Sequence, residues 1–131
     1  MKAIIVGIGL LAVSVGSVWA QDRPTVKMCA GVYGALAQEQ SAFGSTDSLM
    51  GEHYLNFAKI DFNDRLAQLA RKEELGISDL QASSESERSA DYMKLVDAET
   101  EGTMDSPDIL ALTRLSDTCD DEYGFTPTLG G

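Results

Sequence analysis

Chemistry in this chain would have to begin from few side chains: one histidine, two cysteines and a knot of carboxylates near the C-terminal end. His53 is the only histidine, and Met50 stands one helical turn before it. A helical Met-x-x-His pair presents a thioether and an imidazole, ligands suited to monovalent copper, and Met28, Met93 and Met104 are available to complete a shell. Methionines more often fill cores, and a lone histidine at a helix edge is ordinary. A metal or small-ligand carrier built on Met50 and His53 is therefore the alternative reading, not the first.

Asp117, Asp120, Asp121 and Glu122 could gather around calcium, but they lack the alternating ligand spacing and turn glycine of an EF-hand loop. They also crowd a helix C-terminus, where negative charge is unfavourable, so they call for a cation or a basic side chain to answer them. We read them as a candidate binding surface. Hydrolysis would need His53 as base for one of many serines, with neither a nucleophile elbow nor a glycine-rich phosphate cradle present. No Cys-x-x-Cys-His exists to hold a covalent haem. These residues point away from an enzyme and call for no cofactor.

Cys29 and Cys119 carry no Cys-x-x-Cys spacing and no adjacent base, which favours a structural disulfide over a reactive pair. An export signal supports that bond. Lys2 supplies a positive start, Ala3 to Val15 an apolar run, and Val18-Trp19-Ala20 a cleavage site after Ala20. The run is short and glycine-rich for a membrane span, and no other segment approaches the roughly 20 apolar residues that a crossing requires. The expectation is a periplasmic or secreted protein with no membrane span after cleavage.

Cleavage leaves nine basic and twenty-one acidic residues, a formal charge of about −12. Nucleic acid is excluded as a partner by that sign, and a basic protein is favoured. The charge is uneven: Ile77 to Gly131 holds three basic and thirteen acidic side chains, an asymmetry able to steer a basic partner onto the second half.

The elements that must position these residues read as helices, with no alternating stretch long enough for a strand. Pro24 opens a first helix whose stripe is Val26, Cys29, Tyr33 and Leu36. Beside that stripe run Ala30, Gly34 and Ala37, with Gly31 close by. Two glycines within four residues predict a neighbouring backbone packed unusually near. A second helix is expected over about Ser48 to Leu75, with Leu55, Ala58, Phe62, Leu66 and Leu69 on one face, stopped by Gly76. Ser78 and Ser84 each begin a capping box, and residues 81–91 have no apolar face, so they are a loop or an exposed helical extension. A third helical pattern runs through Tyr92, Leu95 and Ala98 to Gly102. Ser106-Pro107-Asp108 starts the last helix, with Ile109, Leu112, Leu115 or Ser116, and Cys119 inward, and Gly124 after it.

A disulfide needs α-carbons within about 7 Å. Near the start of the first helix and the end of the last, Cys29 and Cys119 come level when the helix count is even. The fold expected is all-α: a small four-helix up-down bundle over residues 21–123, closed by one disulfide between its first and last helices, with a flexible tail at 124–131. Closing a loop of about 91 residues would stabilise it by roughly 4 to 5 kcal/mol. The function expected is protein–protein interaction, of a chaperone-like or inhibitor/immunity-like kind. Cleavage after Ala20 also removes Trp19, the only tryptophan. Protein purified from its source should show no tryptophan emission, and a tryptophan band would mean that the leader stays attached.

Overall fold

The computed structural model describes residues 23–43, 54–101 and 106–129. Among them the secondary structure is helical throughout, in six helices: α1 Val26–Phe43, α2 Tyr54–Lys59, α3 Phe62–Lys72, α4 Ile77–Ser83, α5 Glu85–Glu101 and α6 Pro107–Tyr123. The export segment at 1–20 and the candidates Met50, His53 and Met104 lie outside the described residues. The all-α class and the Cys29–Cys119 disulfide stand, whereas the helices number six among these residues where four were expected.

The expected long helix divides at Ile60–Asp61. Asp61 adopts extended backbone and its carboxylate accepts from the amides of Asn63 and Asp64, so α3 starts afresh with its own cap. Gln40 of α1 secures the joint from outside. Its side-chain amide donates to the carbonyls of Phe57 (3.0 Å) and Ile60 (2.5 Å), and its oxygen accepts from Phe62 N at 3.1 Å. One side chain thus satisfies the orphan groups that the break creates on both sides. The break also resets the helical phase. Leu55 is left 71 % exposed, while Phe57, Ile60, Phe62, Leu66 and Leu69 are buried.

The stop after α3 falls earlier than Gly76. Glu74 takes the left-handed conformation (φ 57°), Leu75 N donates to Ala70 O at 2.9 Å and Glu74 N to Arg71 O at 3.2 Å. This is the Schellman arrangement, with glutamate where glycine is usual. Gly76 instead begins α4 as its N-cap, without a side-chain bond. Neither capping box forms. The Ser84 hydroxyl donates backwards to Leu80 O at 2.8 Å, at the step between α4 and α5, and residues 81–91 are helical on both sides of it. At the last helix the structure follows the sequence: the Ser106 hydroxyl accepts from Ile109 N at 3.3 Å, Pro107 occupies the first turn and Gly124 closes the end at φ 74°.

Every residue from Cys29 to Ala37 is buried, so α1 is not an amphipathic wall of a bundle but a central helix covered on all sides. Its most extensive neighbour is α5, with α3, α6 and α4 completing the cover. The small residues explain how. A methyl on Gly31 would collide with Glu87 Cβ and sit 3.0 Å from the Glu87 carbonyl carbon, so α5 approaches at backbone distance, as the paired glycines predict. Gly34 meets the methylenes of Arg88. A polar stretch can therefore pack on α1 without an apolar face, because glycine lets its backbone and methylenes make the contact.

The disulfide brings the α-carbons of Cys29 and Cys119 to 5.6 Å and ties α1 to α6. Of the expected tail at 124–131, residues 124–129 are described, and among them Phe125 and Leu129 pack inward, 5 % and 0 % exposed. Asn56 Nδ2 donates to Leu129 O at 3.1 Å and Leu129 N to Asp117 Oδ1 at 2.7 Å, which straps this segment over α2 and α6. The physical reason is the pair of apolar residues that it carries past the glycine cap.

Gly31→Ala should cost about 1–3 kcal/mol in urea unfolding, because the obstructing atoms belong to the α5 backbone and cannot swing aside. Gly34→Ala should be neutral or stabilising, since the Arg88 side chain can yield and alanine favours helix by about 1 kcal/mol. Equal effects at the two positions would show that α5 does not approach as described.

Candidate functional site

The four C-terminal carboxylates part company in the structure. Asp121 and Glu122 face solvent, Asp117 is half-buried and bonded to the Leu129 amide, and Asp120 is fully buried. Their positions on α6 decide this: Asp120 follows Cys119, which the disulfide holds against α1, so its side chain is drawn into the same interface.

Inside, Asp120 meets one donor and one cation. The Tyr33 hydroxyl, one turn beyond Cys29 on α1, donates to Asp120 Oδ1 at 2.7 Å. Arg65 of α3, also buried, places Nε 3.2 Å from Oδ1 in ion-pair rather than hydrogen-bond alignment, and donates from Nη2 to Oδ2 at 3.4 Å. The same Nη2 donates to Pro127 O at 2.7 Å, and the guanidinium lies 4.8 Å from the centre of the Phe125 ring. Asp120 also uses its backbone: its carbonyl accepts Phe125 N at 2.8 Å, fastening the turn after α6. Burial pushes the Asp120 carboxyl up to about 6, against the downward pull of Tyr33 and Arg65, so at neutral pH it is ionised and the pair is intact. Burial, with the bond to Asp120, holds the Tyr33 hydroxyl far above the ordinary tyrosine range, so it remains a donor. A ring ladder surrounds the group: Phe57 on Phe62, Phe62 on Tyr33, Tyr33 on Phe125 and Phe125 on Tyr123, each pair with centroids 5.8–6.2 Å apart.

The expected need for a cation beside these carboxylates is thus met from within the chain at Asp120. Arg65 could not have been named as that cation from spacing, because α2 and α3 separate only when Asp61 is recognised as a cap. One signal for Tyr33 was present. A disulfide that levels residues 29 and 119 also levels their neighbours.

A cleft of about 510 Å³ opens between α1, α3 and the α4–α5 step, lined among others by Ala30, Gly34, Gln38, Gln81, Ser84 and Arg88. Its floor is backbone and small side chains, its rim amide and guanidinium. Arg88 already holds Glu85 at 2.6 Å and bonds to Gln38, so the rim is internally neutralised. That pairing keeps the Glu85 carboxyl below its usual range. Among the described residues no group of three or more histidine, cysteine or acidic side chains is arranged to hold a metal ion. Met28 and Met93 lie on α1 and α5 and are 36 % and 52 % exposed.

Comparison with protein-family models, with curated proteins and with solved structures finds no match.

Arg65→Met should cost about 3–5 kcal/mol, because it strands a buried carboxylate. The double variant Arg65→Met with Asp120→Asn should cost clearly less than the single change, since the charge leaves with its partner. A double-mutant cycle by urea unfolding reads this directly, and additive losses would show that the two groups do not interact.

Proposed function

We propose that this is a small exported helical protein, periplasmic or secreted, which works by contact with another protein, as chaperones and inhibitor or immunity proteins do, and not by catalysis. We further read the six helices of the described residues as four arms, α1, α2 with α3, α4 with α5, and α6. The observation that carries the functional reading is where the charge comes to rest. Three positive groups serve the fold itself: Arg65 is buried against Asp120, Lys72 lies 5.5 Å from the centre of the Phe125 ring, and Arg88 holds Glu85 and Gln38. On α5 and α6 the cations Lys94 and Arg114 face solvent, but the acids Asp97, Glu101, Asp108, Asp121 and Glu122 face it too and outnumber them.

Such a field attracts a basic protein, speeds its approach and weakens as salt rises. Within the cluster read from sequence, Asp121 and Glu122 are the groups available to a partner, while Asp120 and Asp117 hold that end of α6 in place from inside. Among the described residues no helix is long and apolar enough to cross a membrane.

A second reading is a metal or small-ligand carrier that uses Met50 and His53, which lie outside the described residues; separately, the cleft beside Gly34 and Arg88 offers room for a small ligand. In-cell crosslinking of the full chain separates the two. On the protein-binding reading, Asp121→Lys with Glu122→Lys should weaken capture of a basic partner by tenfold or more, as added salt should, and His53→Ala should leave it unchanged. Undiminished capture by the charge-reversed variant would sink the acidic surface. Loss of a copurifying metal on His53→Ala would favour the carrier.

A further inference from the structure

Glu39 is the other carboxyl buried among the described residues, and none of those residues sets a cation against it. It stands on α1 near its C-terminal end and is 1 % exposed. Its Oε1 has no hydrogen-bond partner. Across the interface α5 presents Glu99, a second acid, and Tyr92, partly buried. The other helices packed on α1 bring no charge to bear on Glu39 among the described residues. The helix end adds to the difficulty, because the negative pole of α1 disfavours a further negative charge. An ionised carboxylate in such a place lacks both solvent and counter-ion, and a group so placed takes up a proton instead.

We propose that Glu39 on α1 and Glu99 on α5, the helix packed most extensively against it, form a proton-operated latch: with Glu39 neutral the C-terminal half of α5 stays packed on α1, and ionisation of Glu39 sets two carboxylates against each other and loosens that half. Burial, with Glu99 second, pushes the Glu39 carboxyl up to about 7, so the latch works around neutral pH. Because the folded value lies above the unfolded one near 4.5, the fold gains most below that lower value and loses this contribution as pH climbs through about 7. The direction is opposite to ordinary acid denaturation. Asp91 on α5, also raised by burial and by Glu87, leans the same way. Loosening in mild acid near pH 4, the usual behaviour of a carboxylate-rich domain, is not what these groups favour.

Thermal unfolding and hydrogen exchange of the full chain at pH 5 and pH 8, corrected for intrinsic exchange, test the latch. Wild-type protein should melt higher at pH 5. Amides from Tyr92 to Glu99 should open on the order of tens-fold more readily at pH 8. Glu39→Gln, which keeps shape without charge, should protect α5 at pH 8 and remove Glu39's share of the melting difference, Asp120 supplying another share, whereas Glu99→Gln should move the Glu39 transition to lower pH and weaken it, because Glu99 is an acid that holds that carboxyl up. An unchanged pH response in folded Glu39→Gln overturns the proposal. Should that variant fail to fold, a carboxyl titration of Glu39 by carbon NMR in wild-type protein decides, with a midpoint below about 5 overturning it and one near 7 upholding it.

Discussion

A helix buried on every side constrains all that surrounds it. From Cys29 to Ala37 every residue of α1 is buried, so the remaining elements have to supply a jacket from a chain with few large apolar residues to spare. Two devices make this possible. Gly31 and Gly34 let α5 approach so closely that its backbone and the methylenes of Glu87 and Arg88 serve as apolar surface. On the far side, Tyr33 and Leu36 supply volume to the ring ladder that α3 and the C-terminal segment complete. The polar appearance of residues 81–91 and the glycine row in α1 are two sides of one contact.

That constraint also explains why so much is anchored at the disulfide end. Asp120 joins α6 to α1 through Tyr33, to α3 through Arg65 and to the segment after Gly124 through its own carbonyl. A buried ion pair adds little net stability over apolar packing, but it tolerates few alternative arrangements, because any slip leaves a charge unpaired. The disulfide beside it limits the unfolded chain, and the ion pair favours one register among the folded ones. Arg65 bonding to Pro127 and stacking on Phe125 then draws in a segment whose own length is too short for independent structure.

The parts legible in the sequence were those written in local chemistry. Ser106-Pro107 declared the last helix, its inward residues followed at helical spacing, and the two cysteines implied a contact between chain ends. The glycines of α1 announced a close neighbour without naming it. Illegible parts depended on partners distant in sequence. Asp61 reads as one polar residue in a long helical pattern until Gln40, on another helix, is seen to stabilise the break. Glu74 occupies a conformation that favours glycine, so the sequence pattern points two residues too late, to Gly76. Phe125 and Leu129 look like isolated apolar residues in a short terminal stretch, and it is Tyr33 and Arg65 that give Phe125 a place and Asn56 and Asp117 that hold Leu129. Within the acidic cluster, spacing could not sort inward from outward, because Asp120 and Asp121 differ only in which side of α6 meets α1.

Two buried carboxyls lie in different interfaces of α1, Asp120 in that with α6 and Glu39 in that with α5, and their different surroundings give α1 two unlike ends. Asp120 is charged because a cation and a hydroxyl meet it, and so it binds three elements together. Glu39, about ten residues and some 15 Å along α1 from the disulfide, has neither, and stays compatible with burial by holding a proton. One end is therefore fastened by a covalent bond and by an ion pair that is intact at neutral pH, and the other by a group whose charge changes there. Local opening begins where the restraint is weakest. In this fold that place is the C-terminal half of α5, where Asp97 and Glu101 look outward, so the charge state of a buried residue bears on the surface that a basic partner would approach.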